Sequence, residues 1–305
     1  MAAILDGKKL AEEIKRGVKK EVEALNASGI DVGIGLMLAG DNPASVQYYK
    51  TALGACRTVG IKSYEFRMPK TSSLNELLNT VHAVNNDERI HGLLLLMPLP
   101  RIINARRVIN AITPEKDIDG LGAISVGRLA SDESTLQLFK QGSVNVPVKD
   151  MSPHSINSFL PCTPFGVIRL LDYYNVRIKG KHAVVIGKSL AVGKPLSMML
   201  LAKEATVTVC HKETEDLAAL TRQADILCSA TGRAGLIKGD MVKKGAVVVD
   251  IGINILKDGT ITGDVDFEAV AGKASFVTPV PGGVGPVTIA MLLENTVRSA
   301  QRNSF

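Results

Sequence analysis

From Gly180 onward the chain alternates short apolar runs with helical stretches, and this alternation restricts the fold more than any other feature. His182–Gly187 (HAVVIG), Ala205–Cys210 (ATVTVC), Ala224–Ala230 (ADILCSA) and Ala246–Ile251 (AVVVDI) have strand length, and a last strand is expected near Ser275–Val277. Val192–Ala202 and Thr214–Gln223 read as helices between them, and Pro286–Gln301 as a closing helix. Runs without a polar face belong to parallel sheets covered by helices on both sides. This half of the chain therefore predicts a doubly wound, Rossmann-like domain.

The first half shows the same grammar. Residues 7–25 place apolar side chains at helical spacing, Val32–Leu38 (VGIGLML) reads as a strand, and Ala44–Gly60 as a helix entered through Asp41-Asn42-Pro43. Ser63–Met68 is a short strand, Ser73–Asn85 a helix, and Gly92–Met97 a buried parallel strand. Residues 130–158 break the pattern: they are polar, irregular and rich in Ser, and read as a long loop or interdomain connection. A length of 305 residues suits two domains at the usual ~150 residues each. The expected division is 1–150 with 287–305 as an N-terminal α/β domain, and 151–286 as the dinucleotide domain.

Composition narrows the class. Apolar residues make up 46% and charged residues 22%, which is enough to bury a sizeable core. A net charge of +6 suits anionic ligands, but no Lys/Arg stripe is interleaved with aromatics, so nucleic acid is not an expected partner. Cys56, Cys162, Cys210 and Cys228 are scattered, which predicts neither zinc nor disulfides and fits a reducing cytoplasm. The longest apolar runs, such as Gly92–Pro100, are too short to span a bilayer, and residues 1–25 carry no targeting pattern.

Two loops carry the chemistry. The strand 182–187 ends in Gly187-Lys188-Ser189-Leu190-Ala191-Val192-Gly193-Lys194-Pro195. A strand running into a glycine turn and then a helix presents backbone N–H groups and a helix N-terminus to a phosphate. The spacing G-x-S-x-x-x-G is not the usual G-x-G-x-x-G, so the turn alone is a weak signal. The next strand ends Cys210-His211-Lys212-Glu213, where an NAD site places an acid against the ribose hydroxyls. Lys188 and Lys212 can instead pair with a ribose 2′-phosphate, which favours NADP; Glu213 argues for NAD. The second loop, Thr278–Thr288 (TPVPGGVGPVT), holds three prolines and three glycines in eleven residues. Such a stretch fixes an unusual backbone path against which a planar ligand can lie.

These motifs occur together with DNPAS (41–45), GLLLLMPLP (92–100), PEKDIDG (114–120), PCTP (161–164), VDIGIN (249–254) and GDVDFE (263–268). In this order they resemble the bifunctional methylenetetrahydrofolate dehydrogenase/cyclohydrolases, often called FolD, over nearly the whole chain. The resemblance implies a homodimer with a folate cleft between two domains. It also implies hydride transfer from 5,10-methylenetetrahydrofolate to NAD(P)+, a step that needs orientation more than acid–base help. Asp119 is expected to hold the pterin, Tyr48 to line the folate slot, and Pro281, Gly282, Gly283, Val284 and Gly285 to border substrate and nicotinamide. Gly187, Lys188, Ser189 and Ile253 are expected to contact the dinucleotide. No metal is implied.

The chain departs from the family where the second activity resides. Hydrolysis of the methenyl product relies in the family on a Tyr-x-x-x-Lys motif after DNPAS and a Gln before P-L-P. Here the Tyr is Tyr48, the Lys position is Ala52, and the Gln position is Leu96. Alanine and leucine cannot activate water. Lys50 lies about 200° around the helix from Tyr48, and Gln47 also points elsewhere, so neither is expected to substitute. Lys140, Lys149 and His154 lie in the polar 130–158 segment. The expectation is an NADP-dependent dehydrogenase with weak or absent cyclohydrolase activity. Alternatives are a bifunctional enzyme with a substitute residue, a non-enzymatic folate- or nucleotide-binding paralogue, and a dehydrogenase for another carrier.

Overall fold

A computed structural model describes residues 1–131 and 158–302. In chain order the elements are β1 (Ala3–Ile4), α1 (Gly7–Ala27), β2 (Gly33–Ala39), α2 (Pro43–Val59), β3 (Lys62–Met68), α3 (Leu74–Asn86), β4 (Gly92–Leu95), α4 (Ala105–Ile109) and α5 (Ala123–Ser131). After the undescribed segment come α6 (Cys162–Tyr173), β5 (His182–Ile186), α7 (Gly193–Ala202), β6 (Thr206–Cys210), α8 (Leu217–Thr221), β7 (Ile226–Ser229) and β8 (Val247–Asp250). The chain ends with β9 (Asn254–Ile255), β10 (Ile261–Thr262), α9 (Phe267–Ala271), β11 (Phe276–Val277) and α10 (Val284–Arg302). The expected 130–158 loop lies, apart from its ends, outside the described residues. Ala130 and Ser131 themselves are the last turn of α5.

The described residues form two compact units. One gathers residues 12–128, 158–162 and 289–302 around a parallel sheet of order β3-β2-β4. All seven residues of β2 are buried, as its unbroken apolar run requires. Met37, Leu93 and Leu95 from the sheet pack with Leu77, Val81 and Val84 of α3. Helix α3 starts on a capping box: the Ser73 hydroxyl accepts from Glu76 N–H, and the Glu76 carboxylate accepts from Ser73 N–H. Helix α2 starts on Asn42, whose side-chain oxygen accepts from Ala44 and Ser45 N–H, with Pro43 in its first turn.

The other unit gathers Met1–Ala11, residues 129–131 and Thr163–Thr288 around a six-stranded sheet of order β1-β11-β8-β7-β5-β6, in which every pairing is parallel. The chain leaves β5 for β6 on one side and returns to β7 on the other, so its topological switch point lies between β5 and β7. Val184, Ile186, Leu227, Val248 and Val277 of the sheet share a core with Ile237, Val265 and Val270. Helix α8 is shorter than the expected 214–223 because the Thr214 hydroxyl accepts from His211 N–H and is used in a turn, leaving Asp216 to cap the helix.

Gly92 opens β4 where the PEKDIDG segment runs closest: Leu93 N–H donates to Lys116 O, and a Cβ at Gly92 would collide with the buried Ile118 side chain. Ile118 precedes Asp119, so this close approach also places the carboxylate. Gly92→Val is expected to cost about 1–3 kcal/mol by overpacking. A lowered urea midpoint with an unchanged slope would show it; an unchanged midpoint would mean that Ile118 yields freely.

Candidate active site

Because every strand of the larger sheet is parallel, their carboxyl ends meet along one edge, and the loops leaving that edge hold the candidate residues of this unit. Along the sheet order β6-β5-β7-β8-β11, Lys212 follows β6, Gly187–Ser189 follow β5, Ile253 follows β8, and Pro281–Gly285 follow β11. Gly187 has φ +124, and a Cβ there would lie 2.5 Å from the Ala230 carbonyl oxygen, so no other residue fits the turn without strain. The Ser189 hydroxyl accepts from Val192 N–H (3.1 Å) and Gly193 N–H (3.3 Å) at the start of α7. Lys188 and Ser189 are exposed. Ile253 is 58% exposed, an apolar side chain left uncovered at the end of β8. Lys212 and Glu213 form an exposed ion pair at 3.2 Å, so the acid that argued for NAD lies against the lysine that argues for NADP.

The glycine-rich loop after β11 is held from the N-terminus of α1. Gly7 and Lys8 N–H both donate to Gly282 O, at 3.0 and 3.2 Å. Gly282, Gly283 and Val284 are buried, Gly285 is partly covered and Pro281 is exposed. The peptide bond before Pro281 is cis.

In the smaller-sheet unit, Tyr48 and Asp119 come together with a third residue, Cys162 of PCTP. Cys162 N–H donates to Asp119 O, and its thiol donates to Ile118 O at 3.2 Å. Asn295 Nδ2 donates to Ile118 O (2.8 Å) and reaches Cys162 Sγ (3.4 Å). Burial raises the Asp119 carboxyl to about 7, helped by the charge of Asp117 and opposed by a hydrogen bond from Cys162. Asp117 is itself raised to about 6 by burial, although Leu121 and Gly122 N–H and the Ser125 hydroxyl donate to it. The Tyr48 phenol is pushed well above its ordinary range by burial, then by Asp119 and Cys162. Such shifted groups clustered around one carboxylate mark a candidate binding or catalytic centre.

Ala52 is 0% and Leu96 1% exposed, so both positions are filled by buried apolar side chains. Lys50 and Gln47 are exposed. Lys140, Lys149 and His154 lie outside the described residues. Sequence reasoning gave no role to Cys162, Asn295, Asp250 or Asp264. The signal available for Cys162, Asp250 and Asp264 was their place in the motifs PCTP, VDIGIN and GDVDFE. Among the described residues no group of His, Cys, Asp or Glu is placed to hold a metal ion, and no helix is long and apolar enough to cross a membrane.

An acid whose folded pKa lies above its unfolded value favours folding fully below the unfolded pKa. That advantage is lost as pH rises through the folded value. For Asp119 the window runs from the ordinary 3.8 to about 7. Asp119→Asn is therefore expected to melt progressively higher than the wild type as pH is raised from about 4 to about 8. A melting-temperature difference that stays flat over that range would count against a buried, raised carboxyl.

Comparison with known proteins identifies the family. A family described as "Tetrahydrofolate dehydrogenase/cyclohydrolase, catalytic domain" matches residues 5–119, and "Tetrahydrofolate dehydrogenase/cyclohydrolase, NAD(P)-binding domain" matches residues 161–304. The "Bifunctional protein FolD" of Moorella thermoacetica is 48% identical over 301 residues, covering 99% of each chain. The crystal structure of the bifunctional enzyme FolD from Campylobacter jejuni is 44% identical with a TM-score of 0.88, covering 99% of this chain and 100% of that one. The Trypanosoma brucei dehydrogenase-cyclohydrolase, complexed with NADP cofactor and an inhibitor, is 32% identical with a TM-score of 0.89, covering 99% of this chain and 98% of that one. The chain belongs to the tetrahydrofolate dehydrogenase/cyclohydrolase family.

Proposed function

We propose that this protein is an NADP-dependent oxidoreductase of one-carbon metabolism. It converts 5,10-methylenetetrahydrofolate to 5,10-methenyltetrahydrofolate and hydrolyses that product weakly or not at all. The observation that carries this reading is the burial of the apolar pair Ala52 and Leu96, the positions that, on the resemblance, would carry the Lys and Gln used for hydrolysis, together with a glycine turn at Gly187–Ser189 suited to a dinucleotide. The 48%-identical relative is named bifunctional, so the split between the two activities rests on these two residues.

Bound NADP+ supplies the hydride acceptor. The methylene C–H bond of the folate breaks with its electron pair leaving toward that acceptor, and the adjacent nitrogen lone pair forms the C=N bond of the methenyl product. No protein base is required, so Ala52 does not block the step. Asp119 holds the pterin edge, with Tyr48 lining the same slot, and the carboxyl environment of Asp117 and Cys162 tunes it. Pro281, Gly282, Gly283, Val284 and Gly285 form the wall for substrate and nicotinamide. The turn at Gly187, Lys188 and Ser189, with the exposed Ile253, receives the dinucleotide. Lys188 and Lys212 select the 2′-phosphate. Hydrolysis needs a group that activates water and manages charge on the opening ring, and neither Ala52 nor Leu96 provides one.

Steady-state assay of both reactions on one preparation tests this. Hydride transfer to NADP+ is expected to proceed, with methenyl hydrolysis slower by about a hundredfold or more, the usual worth of a positioned proton-transfer group. Hydrolysis at a comparable rate would refute the reading, and Ala52→Lys with Leu96→Gln should raise it. Lys188→Ala and Lys212→Ala should raise the KM for NADP+ more than that for NAD+. Equal losses would remove the argument from the 2′-phosphate.

A homodimer is part of the same proposal. Strand β6 is paired on one side only, Val209 on it is 41% exposed, and Leu201 on the neighbouring α7 is 64% exposed. An unpaired edge beside uncovered apolar side chains favours self-association. Light scattering should give the mass of two chains; a single-chain mass at all concentrations would exclude it. The four cysteines are free and buried, which supports a reducing compartment such as the cytoplasm.

A further inference from the structure

The loops at the carboxyl edge of the larger sheet share one buried anchor. Asp264 is 0% exposed. Its Oδ2 accepts from the Ser229 hydroxyl (2.9 Å), Thr231 N–H (2.6 Å) and the Thr231 hydroxyl (2.9 Å). Its Oδ1 accepts from Arg233 N–H (2.9 Å) and Asn254 Nδ2 (3.1 Å). These donors come from the end of β7, the loop that follows it, and the start of β9. A second carboxylate ties this anchor to the neighbouring strands. Asp250, the last residue of β8, accepts from the N–H groups of Gly252 (3.0 Å), Asp264 (3.0 Å) and Val265 (2.9 Å). Its own N–H donates to the Thr278 hydroxyl (2.7 Å), where the chain leaves β11 for the glycine-rich loop.

The sequence makes room for this pair. A Cβ at Gly252 would fall on the Asp264 carboxylate, and one at Gly263 would fall on that of Asp250. The strands themselves are held by their own ladders. What Asp264 holds in addition is the loops, on the side of the switch point where an open α/β sheet receives its ligand.

We propose that Asp264 is a positioning residue for NADP+ binding: its carboxylate sets the 229–233 loop and the Gly252–Asn254 turn, and with them Ile253, before the dinucleotide arrives. The proposal rests on the reading that the dinucleotide lies across the carboxyl edge of this sheet. Preset loops bind without the ordering cost that free loops carry. The charge matters as well as the shape. Each oxygen of Asp264 accepts from a backbone N–H, Thr231 on one and Arg233 on the other. An asparagine amide would therefore set its NH2 against a donor whichever way it turned, and one loop would come loose.

The test uses the full chain with Asp264→Asn, the milder Asn254→Ala, and Asp258→Asn as a control that neutralises the carboxylate accepting from Thr260 N–H in the turn between β9 and β10. Titration calorimetry gives NADP+ affinity, and steady-state kinetics give both KM values and kcat. Asp264→Asn is expected to weaken NADP+ by about tenfold, the usual scale for one lost charge-assisted hydrogen bond. Asn254→Ala should weaken it about threefold, with the folate KM and kcat at saturation within about twofold in both and Asp258→Asn unchanged. A folded Asp264→Asn that binds NADP+ within twofold of the wild type overturns the proposal. So does a rise in both KM values together with a fall in kcat, the mark of general loosening. If Asp264→Asn does not fold, unchanged NADP+ affinity in Asn254→Ala overturns it. Gly187→Val reports on the underlying reading. Loss of NADP+ binding there but not in Asp264→Asn sinks the tether alone, whereas loss in neither sinks the edge reading and the tether with it.

Discussion

Parallel pairing imposes a geometry that the rest of the larger unit must satisfy. All six strands of this sheet point the same way, so six exits lie side by side along one edge. The chain must turn away after each of them over the same ground, and each turn must be tight enough not to obstruct the next. The molecule meets this with glycine at Gly187 and with buried carboxylates at Asp250 and Asp264, which take up the N–H groups that the turns leave without a ladder partner. Sites on such sheets are a by-product of the requirement: fixed, exposed loops with N–H groups facing outward already suit an anionic ligand.

Burying charge serves both units in different ways. In the larger sheet Asp264 accepts five hydrogen bonds and Asp250 three, although burial still raises the Asp250 carboxyl to about 6. Around Asp119 the supply is thinner, with a thiol and a like charge nearby, and the acid is raised to about 7. A carboxyl raised in this way can accept or donate a hydrogen bond without the full desolvation cost of a fixed anion. Tyr48 and Cys162 share that environment, and burial pushes both well above their ordinary range, so the cluster does not accumulate charge.

Much of this was legible in the residues. Apolar runs such as VGIGLML and HAVVIG announce strands buried on both faces, and β2 and β5 are such strands. Pro43 within DNPAS marks a helix start, and α2 begins there with Asn42 as its cap. Elements of two residues, such as β1, β9 and β10, carry no periodicity to read, and helix α6 hides behind a proline in its first turn. Asp250 and Asp264 stand in the motifs VDIGIN and GDVDFE, yet nothing in a linear string says that their carboxylates turn inward. A buried acid is recognisable only once the donors around it have been folded into place.

Strand β1 sets a condition on how the larger sheet folds. Ala3 pairs with Phe276 and Ile4 with Val277, and Gly7 N–H donates to the Gly282 carbonyl. These partners are separated by most of the sequence, so bringing them together carries a larger loop-closure cost than any pairing in the β3-β2-β4 sheet. The smaller sheet closes over short connections, whereas the outer edge of the larger one depends on that distant meeting. The glycine-rich loop gains its grip from α1 through the same closure, so edge strand and loop become ordered together.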